Sequence, residues 1–558
     1  MTKTSGLAAA ISESVHPGAT ILFAFTHNRS HAAAFEVARK FKDTQSLNLV
    51  ATGLLEYASI LCAAGAVGRL ECAFAGNTYP APSPSRQLVE DLARLSACDP
   101  HWTNLTITQR LMAGAMGWPF VPTASLGHGD LFKGPKRAKV SNPFGDGEVN
   151  LIAALRPDVA FVHAAVADTD GNAVIYGPDA EELWGAWAAR SVVVTAERIV
   201  SPDEFRALGP RPGLPGHLVS HVVEAPYGAH PQAQFVWNVD DGVASYAEDY
   251  AFRSQLARLS REPGALRSWV EEWVFASDHD AYLKKLGRER LAQLEREADT
   301  PSPAEPGEWP EAPSPEEMAA IMAKRLAVEA VDQGRYALFF AGIGISHLAA
   351  WCAEQECRAA GQNVSLVAET GMYGFRPIKG DPYLFNRPNA RSSLFHSGFQ
   401  RMLGALAGPN AARCLSFLAA AQVDLYGNIN SSQTDSGRFI VGSGGANDLV
   451  HGGSDYMIVM PMKPGRLVPE LPFITSPANR VIALATDHGV LEPAEPGGPL
   501  RITAVVGKPK SEGKGVERIR SIYGDDIEAA PQLRLLEPPR RDEIDALRAF
   551  DPQRVILT

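Results

Sequence analysis

The sequence predicts an α/β protein made of two homologous open-sheet domains in tandem, and two observations lead to this prediction. The chain has 558 residues, which is more than one hydrophobic core usually organises. In addition, residues 18–34 align without a gap with residues 334–350, and a Ser-His pair, beginning at Ser30 and at Ser346, falls at the same offset in both segments. Each segment has the pattern of an apolar strand, a tight turn and a helix, which indicates a duplicated α/β unit.

A second pair of matching segments supports the duplication. Asp168 to Asn172 and Asp424 to Asn428 share the pattern Asp-x-x-Gly-Asn, and each follows an apolar run that contains Ala-Ala. Gly-Asn after an acidic residue is typical of a tight hairpin turn. We therefore interpret both segments as turns that mark the fold and not as reactive sites.

A proline-rich segment separates the two copies. Residues 299–315 contain six prolines and no periodic apolar pattern, which is typical of a semi-rigid spacer between domains. Ser314 and Glu317 then predict the start of a helix, with the serine as N-cap and the glutamate completing a capping box. The expected division is a first domain over 1–298, a linker over 299–313 and a second domain over 314–558.

Composition and charge exclude several classes of protein. The formal net charge of −11 argues against a nucleic-acid partner, which would require a basic face. The most apolar region, residues 49–76, is interrupted by charged side chains, so we expect no membrane span and no membrane partner. The six cysteines show neither a CxxC pair nor metal-type spacing with histidine, so we expect a reduced, cytoplasmic protein without a metal site.

Glu369 is the candidate catalytic residue. It ends an apolar run at Val367-Ala368 and is followed by Thr-Gly, so it lies where a buried strand should run out into a loop. A buried carboxylate is costly unless it is paired or functional. Open α/β sheets place reactive groups at this edge.

A glycine-rich segment downstream is a candidate anion site. Residues 442–447 read Gly-Ser-Gly-Gly-Ala-Asn and could direct several backbone N–H groups at one anion. A carboxylate combined with such a loop suggests acyl chemistry in which the carboxylate itself attacks. Taken singly, each feature has another interpretation: the loop as a surface turn, and Glu369 as a buried ion-pair partner of Arg376.

Taken together and in this order, these motifs resemble the β subunit of the family I CoA-transferases, in particular the glutaconate CoA-transferase-like branch. The first half resembles the α subunit of the same branch. The resemblance implies two CoA-transferase/NagB-like domains, with the α-type and β-type subunits fused in one chain, and association of two chains as a homodimer. The matching segments are 23–29, 109–119, 154–159 and 223–231 in the first half, and 339–346, 369–371, 421–430 and 442–447 in the second half.

The resemblance also implies a reaction. CoA would move from an acyl-CoA to a small carboxylic acid by a ping-pong mechanism, through a glutamyl anhydride and a glutamyl-CoA thioester on Glu369. The CoA thioester is then a cosubstrate, and no tightly bound cofactor is expected. The expected site residues are Gly444 and Gly445 as oxyanion donors, Gly342, Gly344, Gln422, Gly442 and Asn447 as contacts to CoA or the acyl group, and Phe25, Thr26, Asn28 and Arg29 as residues that select the acid.

Arg29 has an equally plausible alternative role, and for a group of basic residues that could serve the CoA phosphates a solvated position is favoured. Arg29 could pair with the distal carboxylate of a dicarboxylic substrate, or it could brace acidic residues at the domain interface. Four basic residues crowd one loop of the first half, and we interpret them as a solvated loop because charge runs usually face water. These four are Lys133, Lys136, Arg137 and Lys139.

The main alternative function is hydrolysis of an acyl-CoA thioester or of a ring-derived CoA adduct on the same fold. In relatives with that activity a glutamate ahead of a Trp-x-Asn stretch matters, and this sequence has His101 there. The presence of Glu369 and the absence of that acid favour transfer. A non-catalytic binding protein is a third possibility, and the intact glutamate and glycine loop argue against it.

Overall fold

The structure is a computed structural model, and both halves of the chain contain a large sheet. The backbone is described for residues 3–24, 28–238, 241–300, 307–408, 411, 413–507 and 512–557, and the side chains of residues 182 and 183 are not described. The strands of the first half are β1 (Thr20–Phe23), β2 (Leu47–Leu54), β3 (Val67–Ala75), β4 (Phe120–Thr123), β5 (Arg137–Ser141), β6 (Glu148–Ala153), β7 (Val159–Asp168), β8 (Ala173–Val174), β9 (Ser191–Val200), β10 (Gly213–Leu214) and β11 (Val219–Glu224).

The strands of the second half follow the same plan with additional antiparallel strands at its edges. They are β12 (Leu338–Ala341), β13 (Ser365–Ala368), β14 (Met372–Phe375), β15 (Phe395–His396), β16 (Cys414–Leu418), β17 (Gln422–Asp424), β18 (Ile429–Asn430), β19 (Asp455–Val459), β20 (Leu467–Val468), β21 (Val481–Ala485), β22 (Gly489–Pro493), β23 (Leu500–Val506) and β24 (Ala529–Leu536).

Helices pack against both sheets. They are α1 (Leu7–Ser14), α2 (His31–Lys40), α3 (Glu56–Ala63), α4 (Arg86–Arg94), α5 (Asn104–Ala115), α6 (Glu182–Ala188), α7 (Pro202–Ala207), α8 (Tyr250–Leu259), α9 (Pro263–Val270), α10 (His279–Leu286), α11 (Arg288–Glu297), α12 (Pro315–Asp332), α13 (Ile345–Ala359), α14 (Arg387–Arg391), α15 (Ala446–His451), α16 (Glu512–Tyr523) and α17 (Arg541–Arg548). None of the helices within the described ranges combines the length and the apolar character needed to cross a bilayer.

The two sheets have the same parallel arrangement at their centres, which confirms the predicted fold class. In the first half, parallel strands lie side by side in the order β2-β1-β7-β9-β11. In the second half, the order β13-β12-β16-β19-β21 is also parallel throughout. Strand β7 is buried at every position, as expected for a central parallel strand that is covered on both faces.

Local features predicted from the sequence are present. Helix α12 begins at Pro315 with Ser314 as N-cap, and the Ser314–Glu317 capping box is formed in both directions. The two Asp-x-x-Gly-Asn segments are tight turns: the Asp168 carboxylate accepts hydrogen bonds from the backbone N–H groups of residues 170 and 172. The Asp424 carboxylate does the same with residues 426 and 428.

Candidate active site

Glu369 lies at the carboxyl edge of the second sheet. It directly follows β13, and the neighbouring parallel strand β12 ends just before the Gly342-Ile-Gly344 turn. Glu369, Gly342 and Gly344 all line one cavity with a volume of about 420 Å³. The structure therefore places the glutamate at the sheet edge where reactive groups are expected in open α/β folds.

Both halves of the chain contribute to this cavity. The first half supplies Phe74 and Asn104, and the second half supplies Glu369 and the glycine-rich loop 442–445. Most of the remaining wall is apolar or backbone, so few polar side chains surround the carboxylate. The remaining lining residues are Thr78, Pro82, Pro84, Phe340, Ala341, Gly342, Ile343, Gly344, Phe385, Leu418, Ala419, Ala420, Ala421, Ser431, Ile440, Val441, Ala446, Leu449 and Arg466.

The Glu369 carboxylate has one hydrogen-bond partner from each half. The Asn104 side chain and the Gly445 backbone N–H both bind it. A Cβ atom built on Gly445 would lie 2.3 Å from Glu369 Oε2, a distance that no real side chain tolerates. Glycine is therefore required at position 445 for the carboxylate to take this position.

The N–H of Gly444 does not point at an anion, contrary to the sequence-based expectation. It donates to the Ala73 carbonyl of strand β3 at 3.1 Å, while the Gly444 carbonyl accepts from the Asn104 N–H at 3.0 Å. The Ala75 N–H also donates to the Val441 carbonyl at 2.9 Å. Gly444 thus joins the glycine-rich loop to the first half, and its N–H is occupied by a backbone acceptor.

Burial and a second carboxylate raise the pKa of Glu369. Removal from water is the largest cause, the nearby Asp448 carboxylate adds to it, and the hydrogen bonds from Asn104 and Gly445 act in the opposite direction. The result is a pKa of about 7 for Glu369. Burial also raises the pKa of Asp448, whose Oδ2 accepts from the Leu105 N–H at 3.1 Å.

Two polar residues expected in the site, Asn447 and Gln422, are not among the residues that line the cavity. The Asn447 side chain accepts from the Leu126 N–H at 3.0 Å and donates to the Thr475 carbonyl at 2.8 Å. The Gln422 side chain donates to the Gly465 carbonyl at 3.1 Å and accepts from Asn430 at 2.9 Å. Both side chains hold backbone segments in place, and neither lines the cavity.

Two of the four residues expected to select the acid, Asn28 and Arg29, do not line the cavity. Asn28 donates to the His163 carbonyl at 2.8 Å, and the buried Arg29 guanidinium lies 5.5 Å from the centre of the Tyr57 ring. Neither residue is part of the cavity wall. Phe25 and Thr26 fall outside the described residues.

No histidine lines this cavity in the described part of the chain. His347, in the first turn of α13, accepts from the Gly344 N–H and donates to the Pro382 carbonyl, both at 2.9 Å. Burial lowers the pKa of His347 to about 4. His101 stacks on Phe473 with ring centres 5.1 Å apart. Neither imidazole is placed to activate water beside Glu369.

Comparison with known proteins decides the family. Residues 4–225 match the family model described as Coenzyme A transferase. One of the subunits of glutaconate CoA-transferase from Acidaminococcus fermentans is 31% identical over 315 residues, which is 53% of this chain and 95% of that polypeptide. The chain belongs to the coenzyme A transferase family.

Two further matches cover different shares of the chain. A protein of Archaeoglobus fulgidus is 32% identical over 240 residues, 42% of this chain and 52% of that relative, so the chain spans about half the length of that relative. The crystal structure of the acyl-CoA transferase YdiF apoenzyme from Escherichia coli O157:H7 has a TM-score of 0.66 at 17% identity. The match covers 98% of this chain and 96% of that chain. Both subunit-sized regions are therefore present in one chain, as expected for an α–β fusion.

Sequence reasoning missed two residues of the candidate site. Asn104, at the first position of α5, reaches Glu369 from the other half of the chain. Asp448 follows the glycine-rich loop by three positions and lies close enough to raise the pKa of Glu369. The signal for Asp448 was an acidic residue directly after the Gly-Gly-Ala-Asn motif, whereas nothing in the sequence links Asn104 to Glu369.

Proposed function

We propose that this CoA-transferase moves CoA from an acyl-CoA to a carboxylic acid through covalent intermediates on Glu369. The observation that supports this most is the position of the carboxylate. It lies in a largely apolar cavity between the two halves, and among the described residues no cation forms an ion pair with it. A carboxylate kept without a counter-ion in such surroundings is costly to maintain, which favours a role as nucleophile.

The reaction that fits this site has two matched halves. A Glu369 oxygen attacks the thioester carbonyl carbon, and the carbon–sulfur bond breaks. CoA departs as the thiolate, and the acyl group is then joined to the glutamate as a mixed anhydride. The thiolate then attacks the glutamyl carbonyl, the acyl group leaves as a carboxylate, and a glutamyl-CoA thioester remains. A second carboxylic acid reverses both steps, and the activation of the original thioester is kept throughout.

The two hydrogen-bond partners of Glu369 are in position to stabilise the step in which the glutamyl carbonyl itself is attacked. When thiolate attacks the glutamyl carbonyl, negative charge develops on the glutamate's own oxygen. The Asn104 amide and the Gly445 N–H already bind this carboxyl group, so they are in position to stabilise that oxyanion. Loss of one such donor typically reduces turnover by roughly 10²–10³-fold.

The organisation of the chain is part of the proposal. Residues 1–298 would form the α-type domain, 299–313 the linker and 314–558 the β-type domain that holds the nucleophile. Two fused chains would associate as a homodimer, since closed symmetric assemblies are the commonest oligomers. Light scattering at micromolar protein should then give twice the mass of one chain.

Trapping of the intermediate tests the proposed function. The enzyme incubated with acyl-CoA and no acceptor should lose activity to hydroxylamine or borohydride, with the modification on Glu369 in a mass-spectrometric peptide map. Initial rates at varied acyl-CoA and carboxylate should give the parallel lines of a ping-pong mechanism. Release of CoA that is equally fast with and without a carboxylate acceptor would identify a hydrolase and overturn the proposal.

The raised pKa of Glu369 predicts a pH dependence. Only the ionised carboxylate attacks, so kcat/KM should fall as the pH drops below about 7, and one pH unit lower about a tenth of the activity should remain. In Asp448→Asn the neighbouring negative charge is gone. The pKa of Glu369 should then be lower, and the acidic limb of the profile should move to lower pH.

The control for this pH profile is Asp525→Asn, which removes an exposed carboxylate elsewhere in the second half. Its acidic limb should coincide with that of the unmodified enzyme. If the acidic limb of Asp448→Asn lies at the same pH as that of the unmodified enzyme, Asp448 does not influence the pKa of Glu369. The position of the limb is the readout, because a purely structural role of Asp448 would change the rate and leave the limb where it is.

A further inference from the structure

The small sheet of the first half, with strands in the order β4-β6-β5, has one face that is entirely apolar. Residues that pair directly across antiparallel strands point to the same face. Leu151 of the central strand β6 pairs with Pro122 of β4 and with Ala138 of β5. The face that contains Leu151, here called the outer face, consists of Phe120, Pro122, Ala138, Val140, Val149, Leu151 and Ala153.

The opposite, inner face of this sheet packs against the core. Val121 and Ile152 are buried there among apolar side chains. Arg137 is buried as well, since its guanidinium pairs with Asp99 at 2.9 Å and packs 3.6 Å from the Trp102 ring centre. The expectation of a solvated position is therefore wrong for Arg137. The inner face has its partners within the chain, and the outer face is the one turned away from the core.

The outer face is open to water in the single chain. Phe120 is 49% exposed, Pro122, Ala138 and Val140 are also exposed, and the three residues of β6 are half-buried. An antiparallel sheet with one face toward water usually carries polar residues on that face. A contiguous apolar surface in this position is instead typical of an interaction site.

Three more exposed apolar side chains adjoin the outer face along the chain. Met116 and Trp118 precede β4, and Phe144, which is 98% exposed, lies in the turn between β5 and β6. Since one aromatic side chain buries roughly 150–250 Å², covering the outer face and these three residues would remove on the order of 700 Å² per chain from water. A standard dimer interface buries about 800 Å² per partner, so this surface has the size that a second chain requires.

The charges at the two ends of β6 favour a second copy of this chain as the partner. Asp146 lies five positions before Leu151 and Arg156 lies five positions after it, and both side chains are exposed. In a two-fold arrangement with its axis near Leu151, the two β6 strands run antiparallel, and Asp146 of each chain comes near Arg156 of the other. A membrane surface would instead require an excess of basic residues, and the formal net charge of this chain is −11.

We propose that the outer face is the interface of the homodimer and packs against the same face of a second copy of this chain. This inference rests on the dimer included in the proposed function and names the surface that forms it. Helix α5 runs directly into Met116 beside this surface, and its first residue is Asn104, the partner of Glu369. Contact between two chains here would therefore brace the helix that reaches the candidate active site.

The test is the molecular mass of the full-length enzyme in light scattering over a dilution series. Phe120→Glu and Val140→Glu each place a carboxylate on the outer face, and burying an unpaired charge should raise the dissociation constant of the dimer by roughly 100-fold or more. Both side chains are exposed in the single chain, so the variants should fold, as judged by circular dichroism, and have the mass of one chain.

Leu394→Glu is the matched control, because Leu394 is a 73% exposed apolar side chain in the second half. It should leave the mass at that of two chains. If Phe120→Glu and Val140→Glu both dimerise as tightly as the unmodified enzyme, the interface lies elsewhere and the proposal is wrong.

Cross-linking gives a second measurement that does not depend on breaking the dimer. A two-fold axis near Leu151 brings both copies of this position together, so Leu151→Cys treated with a short bis-maleimide should run as two linked chains on a denaturing gel. Leu394→Cys and the unmodified enzyme should run as single chains. A dimeric Leu151→Cys enzyme that does not cross-link would overturn the proposal, and so would an unmodified enzyme that is a monomer. Failure of the proposed chemistry would look different, since the enzyme would then dimerise through this face without transferring CoA.

Discussion

Replacing Glu369 by glutamine is expected to reduce the rate of CoA transfer by at least about 10⁴-fold, the scale of losing a covalent nucleophile. The amide has nearly the shape of the carboxylate and can still bind Asn104, so the cavity should keep its form. It cannot attack a thioester, because its nitrogen and oxygen are poor nucleophiles. The measurement is kcat with acyl-CoA and acceptor both saturating, together with the hydroxylamine trap, which should find no modified peptide.

Two variants calibrate this loss. Glu517→Gln removes an exposed carboxylate on α16 and should keep full activity. Glu369→Asp keeps the charge and shortens the arm, which moves the carboxylate by about 1 Å or more and should reduce the rate by roughly 10²-fold. Undiminished transfer by the glutamine variant would show that the chemistry does not pass through this residue.

Gly445→Ala should reduce kcat by about 10²-fold or more without unfolding the protein. The new methyl carbon would lie 2.3 Å from Glu369 Oε2 and 3.1 Å from a methyl group of Leu403, so the carboxylate must move. A displacement of this size at a reacting atom is enough for such a loss. The backbone at Gly445, with φ −94° and ψ 0°, is open to alanine, so the effect is steric. Steady-state kcat and a thermal melt measure the two parts separately.

Neighbouring glycines supply the controls. Gly444→Ala adds a methyl whose nearest neighbour is 4.0 Å away, but Gly444 has φ +54°, so the expected cost is stability of roughly 1–2 kcal/mol with kcat largely kept. Gly513→Ala, in the exposed first turn of α16 with no neighbour within 4 Å, should alter neither. A Gly445→Ala enzyme with normal kcat would show that the carboxylate does not act from this position.

Features set by neighbouring residues were predictable from the sequence. The start of α12 follows from Ser314 and Glu317, which satisfy each other's backbone N–H groups within four residues. The turns after Asp168 and Asp424 depend on one carboxylate and the glycine three positions later. Glu369 could be placed at a strand end because the apolar run before it stops abruptly. All of these depend on short stretches of chain.

Features set by contact between distant segments were not predictable. Asn104 and Glu369 are 265 positions apart in the numbering, and they meet only because the two halves pack together. The same packing gives the Gly444 N–H to the Ala73 carbonyl, which removed it as an oxyanion donor. For Asn447, a polar side chain beside a glycine loop could face the substrate or brace the backbone, and only the positions of Leu126 and Thr475 decide between them.

The division of the cavity between the two halves also has a consequence for the cell. Glu369 and its partner Asn104 are translated as one molecule, so they are always made in equal numbers. They meet at an effective concentration fixed by the connecting chain and not by expression level. Where the same two surfaces belong to separate polypeptides, dilution of the protein below their dissociation constant separates the two polypeptides, and the site then lacks one of the two residues. In this chain that particular loss cannot occur, and the specific activity of Glu369 should not depend on docking between independently made halves.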